Sequence, residues 1–438
     1  MPKCTSSALR LSPFGRRVVE ADFHGGAITS DAGALLLREV EQRTGMLRGL
    51  ARRLDDRRQR RRCRHDLGAL LRQRVFASAL GYEDLNDHQE LRGDVAFQTA
   101  VSRDVPLASA STLCRLEQRS DARFVWAAHE VLIEQFVAAF DTPPQRLTLD
   151  FDATDDLVHG EQAGRHFSGF YGGYCFLPLY VFCGEHLLVS YLRPAYRGSA
   201  HHAAAILRLL VRRLRAYWPD VEIVLRGDGD FCTPKLLHAC QRLEVDYIVG
   251  FANNDRLKRD SAPLLDMAEA LHRLSGQQPV RLFSARTYKA RSWKRASRLI
   301  TKAEHNGVGR NRRFVITSLT GDAQALYDEI YCARGDMENR IKDQQLDLYA
   351  DRTSAQAWWA NQFRLLVASL AYALLTALRR LALADTRYAR ASPGRLRERL
   401  LKLGAVVRRN TRRVQLHLAS HCPDQDLIRL LVHRLAPG

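Results

Sequence analysis

Residues 147–154, LTLDFDAT, decide the fold of this chain. Apolar and polar side chains alternate along them, which is the period of a half-buried β-strand. Two more strand-like runs follow at residues 174–183 and 186–192, and the Gly184–Glu185 pair between them is typical of a β-hairpin. Three consecutive strands predict an α/β fold with one mixed sheet, because the pattern then alternates between helix and strand: helix 201–217, strand 221–225, helix 234–243 and strand 246–251.

The charge balance limits the kinds of partner. The chain carries 67 Lys and Arg against 48 Asp and Glu, a formal charge of +19. A surplus of this size favours a polyanionic partner over a merely soluble basic protein. Only eight of the 67 basic residues are Lys. Arginine pairs with phosphate through two parallel hydrogen bonds, although a GC-rich coding sequence would produce the same bias.

Three further features concern the compartment. The nine cysteines are odd in number and contain no CxxC pair, which disfavours a disulfide framework and a structural zinc site and suits a reducing cytoplasm. The first 20 residues lack the apolar core of a signal peptide. The longest apolar run, residues 365–378, is too short to span a bilayer and predicts a buried helix.

A stripe of polar side chains marks one predicted helix. Tyr331, Arg334, Glu338 and Lys342 are separated by three, four and four residues, so an α-helix that begins at Tyr331 places them on one face. Such a stripe is not a core stripe. The alternative to a functional role is a solvated face with i,i+4 ion pairs.

Carboxylates accompany two of the predicted strands. Asp152 lies on the first strand, and Asp228 directly follows the strand at 221–225. Carboxylates at strand ends, with another on a helix beside the sheet, can converge on a pair of divalent cations that promotes phosphoryl transfer. The pattern alone leaves open several acidic neighbours, namely Asp150, Asp155, Asp156 and Asp230.

Three stretches resemble those of bacterial insertion-sequence transposases with an Asp–Asp–Glu triad. They are LDFDATDD (149–156), RGDGDF (226–231) and YCARGDMENRIKDQQLDLYADRTSA (331–355), of which the YCARGDMEN part is the most specific. The most similar group is DDE group 1, the "thirteen-eighty" family. The resemblance covers nearly the whole chain, including DAGALLLREV (31–40) and LPLYVFCG (177–184).

This resemblance implies a site. In the family the first Asp is followed by Thr two positions later, which selects Asp152 over Asp150, and the second Asp matches Asp228. The related Tyr–x2–Arg–x3–Glu–x6–Lys signature matches Tyr331, Arg334 and Glu338. Its final Lys position holds Gln345, a departure, so Lys342 one turn earlier is the candidate for that positive charge.

The resemblance also implies an activity. We expect a DNA transposase that binds double-stranded DNA, as terminal inverted repeats and target, and cleaves and joins strands as a homodimer in the bacterial cytoplasm, associated with the nucleoid. Asp152, Asp228 and Glu338 would bind two Mg²⁺ ions, with Mn²⁺ as a substitute. Arg334, Tyr331 and Lys342 would hold phosphate. Trp293 or Tyr288 would stack on an unpaired base at the cleaved end, the alternative for Trp293 being a core or interface aromatic. Neither a membrane nor a small-molecule substrate is expected.

The implied fold is ribonuclease-H-like, with a mixed-sheet catalytic domain interrupted by an insertion. The stretch 281–313 is the basis for the insertion, since it holds 11 Lys or Arg and one Glu, with Tyr288 and Trp293 interleaved. At the N-terminus, Asp31 is placed to cap a helix that starts at Ala32. The predicted segments are a mainly helical DNA-binding region (1–142), the first part of the catalytic domain (143–255), a basic β-rich insertion (256–320), the rest of the catalytic domain with the Glu338 helix (321–384) and a basic helical C-terminal region (385–438).

Two rival functions share most of these features. A ribonuclease-H-like nuclease or resolvase would cut DNA without joining it. A non-catalytic DNA-binding relative would keep the charge but not the chemistry, and the presence of all three acidic positions argues against it.

Overall fold

The computed structural model describes residues 8–436 and divides them into two units. One unit contains residues up to 116 and from 377 onward, and the other contains residues 117–376. The described residues exclude 1–7, which include Cys4 and begin the predicted N-terminal segment. They also exclude 437–438, the end of the predicted C-terminal segment. The other eight cysteines carry free thiols.

The strands follow one another along the described chain with these bounds: β1 (Leu9–Phe14), β2 (Arg17–Ala21), β3 (Ile28–Thr29), β4 (Arg146–Ala153), β5 (Asp156–Leu157), β6 (His166–Ser168), β7 (Gly173–Phe176), β8 (Leu179–Cys183), β9 (His186–Tyr191), β10 (Glu222–Gly227), β11 (Asp246–Phe251), β12 (Val280–Tyr288), β13 (Ser297–Asn306), β14 (Gly309–Thr317), β15 (Ala405–Arg409) and β16 (Val414–Leu418).

The α-helices are α1 (Ala34–Thr44), α2 (Met46–Arg53), α3 (Leu67–Ala79), α4 (His88–Leu91), α5 (Val95–Ala100), α6 (Ala110–Gln118), α7 (Ala122–Val137), α8 (Ala203–Tyr217), α9 (Pro234–Arg242), α10 (Asp255–Leu274), α11 (Ala323–Ala325), α12 (Gly335–Lys342), α13 (Trp358–Leu378), α14 (Pro393–Leu396) and α15 (Gln425–Leu435). Short turns of 3-10 or π geometry accompany several of them and are given where they matter.

An eight-stranded mixed sheet organises the unit of residues 117–376. Its strand order is β12-β13-β14-β11-β10-β4-β8-β9. Strand β10 is parallel to both β4 and β11, and the other neighbours are antiparallel. The predicted sequence of elements is present as β4, β8, β9, α8, β10, α9 and β11. The mixed α/β sheet is therefore confirmed.

The core of this unit lies against the sheet. Leu147, Leu149 and Phe151 of β4 are at most 3 % exposed and pack in one apolar cluster with Leu207 and Leu214 of α8. Each fully buried side chain of this size stabilises the fold by about 1.5–3 kcal/mol. The apolar positions of β4 therefore hold the strand in place, and its polar positions remain available for other contacts.

One part of the sheet differs from the prediction, and the basic strands continue the sheet. The run at residues 174–183 is not one strand, because β7 ends at Phe176 and β8 begins at Leu179, with Pro178 between them. Strand β7 instead forms a small sheet with β5 and β6. The basic strands β12–β14 extend the main sheet, since Phe314–Thr317 at the end of β14 pairs with β11. Their basic half is exposed or half-buried, and the apolar end of β14 is buried.

The apolar run at residues 365–378 forms most of α13, and the predicted buried helix is confirmed. Together with the turn that follows it, Trp358–Leu383 is long and apolar enough to cross a membrane, but 83 % of its apolar window is buried inside the protein. Burial of this extent is what a core helix shows.

The other unit combines helices with a three-stranded sheet and a two-stranded hairpin. Its small sheet has the order β16-β15-β3, and a separate hairpin joins β1 and β2. The strands β15 and β16 lie in the basic C-terminal segment for which we expected helices. Val406, Val407 and Val414 lie in these strands, and β-branched residues favour strand over helix.

Asp31 does not cap a helix, contrary to the prediction. Helix α1 begins at Ala34 after Gly33, and it has no side-chain cap. The Asp31 carboxylate instead accepts a hydrogen bond from Tyr82 Oη (2.6 Å) and pairs with Lys402 Nζ (2.7 Å). A buried carboxylate needs such partners, so Asp31 links distant parts of the chain within its unit.

Candidate active site

Asp152 and Asp228 stand at the same edge of the sheet. Phe151 of β4 and Gly227 of β10 are register partners in a parallel pair, and the two aspartates are the residues that follow them. Neighbouring strands lie about 4.8 Å apart, so the backbone itself brings the two carboxylates side by side. The edge is the carboxyl end of the parallel strands, where ligands bind in open α/β sheets.

Asp150 has a different role from Asp152 although both lie on one face of β4. Asp150 is 1 % exposed and receives two hydrogen bonds from the Arg226 guanidinium of β10, one of them 2.8 Å from Nη2 to Oδ2. Burial raises the pKa of Asp150, and the bonds from Arg226 oppose that shift. The pair joins two neighbouring strands, and both Asp150 oxygens accept a hydrogen bond from Arg226.

Residues 323–347 are consecutive helical turns of changing pitch. Leu326–Tyr331 is π-helical, Cys332–Arg334 is a 3-10 turn, and α12 follows from Gly335. The prediction of a uniform α-helix from Tyr331 is therefore wrong at its beginning. The i,i+4 relation of Arg334 and Glu338 survives, because their side chains meet at 2.9 Å.

Arg334 connects the helix to the sheet. Its Nη1 donates to Asp152 Oδ2 at 3.2 Å while its Nη2 donates to Glu338 Oε1 at 2.9 Å. The Asp152 side chain is 13 % exposed and that of Glu338 is 50 % exposed. The three predicted residues thus form one contact chain that opens to solvent at Glu338.

Tyr331 also lies at this edge of the sheet, beside Gly250 of β11. A Cβ atom built on Gly250 of β11 would lie 2.7 Å from Tyr331 Oη, 2.8 Å from the Gly229 nitrogen and 3.1 Å from the Asp228 carbonyl carbon. No side chain fits there. Gly250 therefore lets the Tyr331 hydroxyl and the turn that carries Asp228 approach the same strand.

The electrostatics of the site show excess negative charge. Burial raises the pKa of Asp152 to about 6, and the charges of Asp228 and Glu338 add to the effect against the opposing Arg334. Burial likewise raises the pKa of Asp228, with Asp230 contributing. Burial opposes the positive charge of Arg334, but the surrounding carboxylates outweigh it and raise its pKa. Three carboxylates share one guanidinium, an arrangement that a further cation would stabilise.

The donor chemistry fits a divalent metal ion. Asp152, Asp228 and Glu338 supply only oxygen, which Mg²⁺ prefers, and their repulsion falls when a cation binds between them. Within residues 8–436 no three Asp, Glu, His or Cys side chains form a ready-made metal cluster, and the Arg334 guanidinium stands between Asp152 and Glu338. Among the cations of residues 8–436, Arg334 is the one between these carboxylates, so a metal ion would compete with it.

Two other predicted residues lie farther along the helix. Lys342 is exposed at the last position of α12. Gln345, at the position where the resembling signature has Lys, donates from Nε2 to the Asp155 carbonyl oxygen at 3.1 Å. This bond ties the helical segment to the loop that follows Asp152, so Gln345 contributes to positioning rather than to charge.

Trp293 lies in the apolar core. It is 7 % exposed in the main apolar cluster, where its ring lies 5.4 Å from Phe251 and 5.7 Å from Tyr288. A base could stack on Trp293 only if this cluster opened. The structure favours the alternative, a core aromatic, for Trp293 and for Tyr288, which is also 7 % exposed.

Sequence reasoning missed the two groups that hold the site in place. Arg226 was visible only as the first letter of RGDGDF, and Gly250 only as part of a strand. A weak signal existed for both, since a charged residue inside an apolar strand requires a buried partner and a glycine inside a strand often marks close approach of another backbone.

Comparison with known proteins adds one finding. The family described as "Transposase DDE domain group 1" matches residues 11–437. No curated protein matches the chain.

Proposed function

Because the chain belongs to the family described as transposase DDE domain group 1, we propose that it binds the inverted repeats at the ends of an insertion sequence, cleaves the DNA and joins the freed end to a target. The family consists of DNA-cleaving phosphoryl-transfer enzymes that generally use divalent metal ions. The proposal goes beyond the family in several points: the inverted repeats, the joining step, two Mg²⁺ ions replaceable by Mn²⁺, a homodimer on the DNA, a bacterial cytoplasm and the roles of the residues named below.

The strand order supports a ribonuclease-H-like catalytic domain. Five adjacent strands, β9-β8-β4-β10-β11, consist of an antiparallel trio followed by two parallel strands. Along the chain these strands and the helices between them follow the order predicted from residues 147–251, whereas their order within the sheet was not part of that prediction. The strands β12–β14, which are basic and follow β11 along the chain, correspond to the proposed insertion, and they continue the same sheet.

One observation carries the proposal: Arg334 holds Asp152 and Glu338 together at the sheet edge where Asp228 also ends its strand. The three carboxylates belong to three separate elements, β4, the turn after β10 and α12. Their convergence costs desolvation and mutual repulsion, which a structural role alone would not require.

We propose distinct roles for the residues of the site. Asp152, Asp228 and Glu338 hold the cations, which when bound supply activation of the attacking oxygen and stabilisation of the leaving one. Arg334, released from its carboxylate partners, pairs with a phosphate of the DNA. The hydroxyl of Tyr331, held at Gly250, donates to the same region, and Lys342 adds charge at the exposed end of α12.

Joining of DNA ends distinguishes this proposal from a nuclease or resolvase. Purified chain, Mg²⁺, a linear DNA that carries the sequences flanking the gene, and a circular target should yield joined products of defined ends. Strand transfer should disappear when EDTA removes the metal. Hydrolysis without any joined product, at either flank, would favour the nuclease and contradict the transposase.

A substitution at Gly250 tests how the site is positioned. We expect Gly250→Ala to reduce DNA cleavage by about 100-fold, since misplacement of a reacting group by about 1 Å can cost that much, and the new Cβ would lie within 2.8 Å of the Gly229 nitrogen. Cleavage rates and thermal unfolding midpoints measure the effect. The control is Gly307→Ala, where nothing lies within 4 Å of the added atom. Equal cleavage by both variants would contradict the positioning role.

A further inference from the structure

An exposed group of aromatic rings lies in the unit of residues 117–376. Phe170 is 89 % exposed, Tyr196 55 %, Phe167 53 % and Tyr174 46 %. We call these four rings the aromatic surface. Large apolar side chains exposed together, rather than singly, mark an interaction site.

Ring contacts order the aromatic surface, and Phe170, in the turn between β6 and β7, meets the neighbouring Tyr171 ring edge to face at 4.8 Å. Phe167 and Tyr174 are register partners of β6 and β7, and their rings meet edge to face at 5.6 Å. Guanidinium groups cover two tyrosines: Arg165 lies 4.3 Å from the ring centre of Tyr174, and Arg197 lies 4.7 Å from that of Tyr196. The surface thus presents flat rings alternating with planar cations.

A buried arginine holds in place the two chain segments that carry the aromatic surface, residues 166–184 and 194–200. Arg193 is 1 % exposed. Its Nε donates to the Leu177 carbonyl oxygen just after β7 at 2.9 Å, and its Nη1 donates to the Ser199 carbonyl oxygen at 2.6 Å. The His166 and Tyr196 rings also meet across the segments at 5.4 Å. The surface is therefore a built feature and not two independent loops.

The surface lies next to the carboxylates. Ser199, three residues after Tyr196, donates from Oγ to Asp230 Oδ2 at 2.6 Å, and the Asp230 N–H donates to Asp228 Oδ1 at 2.9 Å. On the other side, β7 pairs with β5, whose first residue, Asp156, is four positions beyond Asp152. Two hydrogen bonds thus link the Tyr196 loop to one carboxylate, and a short strand links β7 to another.

We propose that the aromatic surface binds unpaired nucleotides of the DNA strand at the cleavage site. Aromatic side chains stack on every base regardless of sequence, and neighbouring arginines pair with the phosphates. Residues 166–184 and 194–200 contain no Asp or Glu, so both segments tolerate a polyanion, and a phosphate would compete with the exposed Glu161 for Arg165, with which Glu161 is paired at 2.8 Å. This inference rests on the proposed function and adds the form of DNA that the site takes: locally single-stranded beside the carboxylates.

Binding without cleavage tests this assignment. The full chain in EDTA is titrated with a fluorescent oligodeoxythymidylate that carries one 2-aminopurine, and separately with a labelled blunt duplex of equal length. We expect the wild type to change the 2-aminopurine emission through stacking. The Phe170→Ala/Tyr174→Ala variant should lose that change and bind the single strand about tenfold more weakly, the cost of losing a base stack, with duplex affinity unchanged.

Tyr217→Ala is the matched control. Tyr217 on α8 is also exposed, at 39 %, and has Arg213 above its ring at 5.2 Å, but it belongs to neither segment of the aromatic surface. It should behave like the wild type, and Phe170→Tyr with Tyr174 intact should also retain stacking. If the double variant unfolds early, Phe170→Ala alone decides, because that side chain is 89 % exposed and its removal buries or uncovers little apolar surface.

The outcomes separate the two proposals. Unchanged single-strand binding by the Phe170→Ala/Tyr174→Ala variant overturns the inference, and so does an equal loss on single strand and duplex, which would indicate a general or protein-docking role. Failure of the wild type to join DNA ends overturns the proposed function and leaves the stacking result standing. Selective loss of single-strand binding, as predicted, supports the inference in either case.

Discussion

A Glu338→Gln chain should bind DNA as the wild type does and lose DNA cleavage by more than about 100-fold, the loss that even an outer partner of a metal ligand can cause. The substitution keeps the size of the side chain and one of its oxygens. It removes the negative charge that we assign to metal binding. Glu338 is half-exposed on α12, so the free energy of unfolding should change little. Cleavage in Mg²⁺, DNA affinity in EDTA and the thermal midpoint together measure the effect.

Asp336→Asn provides the control for this substitution. Asp336 lies on the same helix, its side chain is 73 % exposed, and its ion pair with Arg340 is 4.0 Å long. An exposed pair of this kind contributes little. Cleavage by Asp336→Asn should equal that of the wild type. Identical cleavage by Glu338→Gln and the wild type would refute the metal role of Glu338. If neither protein cleaves DNA, the result would favour a DNA-binding relative without catalysis.

The substitution Asp150→Ala should destabilise the protein by about 3–5 kcal/mol, because it leaves the Arg226 guanidinium in a buried position without its carboxylate. Asp150 and Arg226 are 1 % and 9 % exposed. The thermal unfolding midpoint measures this loss. Asp152→Ala, two residues along the same strand, should give the opposite pattern: an unfolding midpoint near or above that of the wild type, since a carboxylate with a raised pKa is removed, and no DNA cleavage.

A double replacement controls for the ion pair itself. Asp150→Leu combined with Arg226→Met replaces the buried pair with apolar side chains, which is often neutral for stability. The double variant should therefore melt well above Asp150→Ala. If it cleaves DNA at a measurable rate, Asp150 and Arg226 act only on the fold. Loss of cleavage in a stable double variant would instead show that the site depends on the pair, either directly or through the Ile330 carbonyl oxygen, which accepts a hydrogen bond from Arg226 Nη1.

The pattern of apolar residues was sufficient to predict the sheet. The alternation in LTLDFDAT and the spacing of the helices and strands after it predicted the order that the structure has from β4 to β11. Hydrophobic periodicity is a local property, and burial of one face is the dominant force on a strand. The same reasoning failed at residues 174–183, where Pro178 ends one strand and the chain enters another sheet.

Periodicity could not separate Asp150 from Asp152. Both lie on the polar face of β4, and an alternation with a period of two residues assigns both side chains the same environment. The distinction arises from the neighbouring strand, whose register sets Arg226 opposite Asp150 and the Asp228 turn beyond Phe151. Register depends on contacts between residues about 76 positions apart in the chain, as in the Arg226–Asp150 pair, and such contacts are absent from any local pattern.

The exposure of the aromatic residues could not be predicted from the sequence either. Trp293 stood out because it lies among basic residues, but its ring is buried. Phe170 lies among Gly169, Gly172 and Gly173, where no pattern of apolar residues predicts its exposure, and it is the more exposed ring. Exposure depends on what packs above a side chain, and an irregular segment has no period from which to infer it.

The sequence by itself determined the α/β class, the order of the strands along the chain, the buried helix at residues 365–378 and the candidate carboxylates. Each of these follows from local spacing or from resemblance. Only the tertiary structure decided which carboxylate of LTLDFDAT is tied up by Arg226 and which meets Arg334. It also decided that Gly250 makes room for the Tyr331 hydroxyl. The physical reason is common to both: a buried charge or a close approach is defined by its partner, and the chain brings that partner from a distant segment.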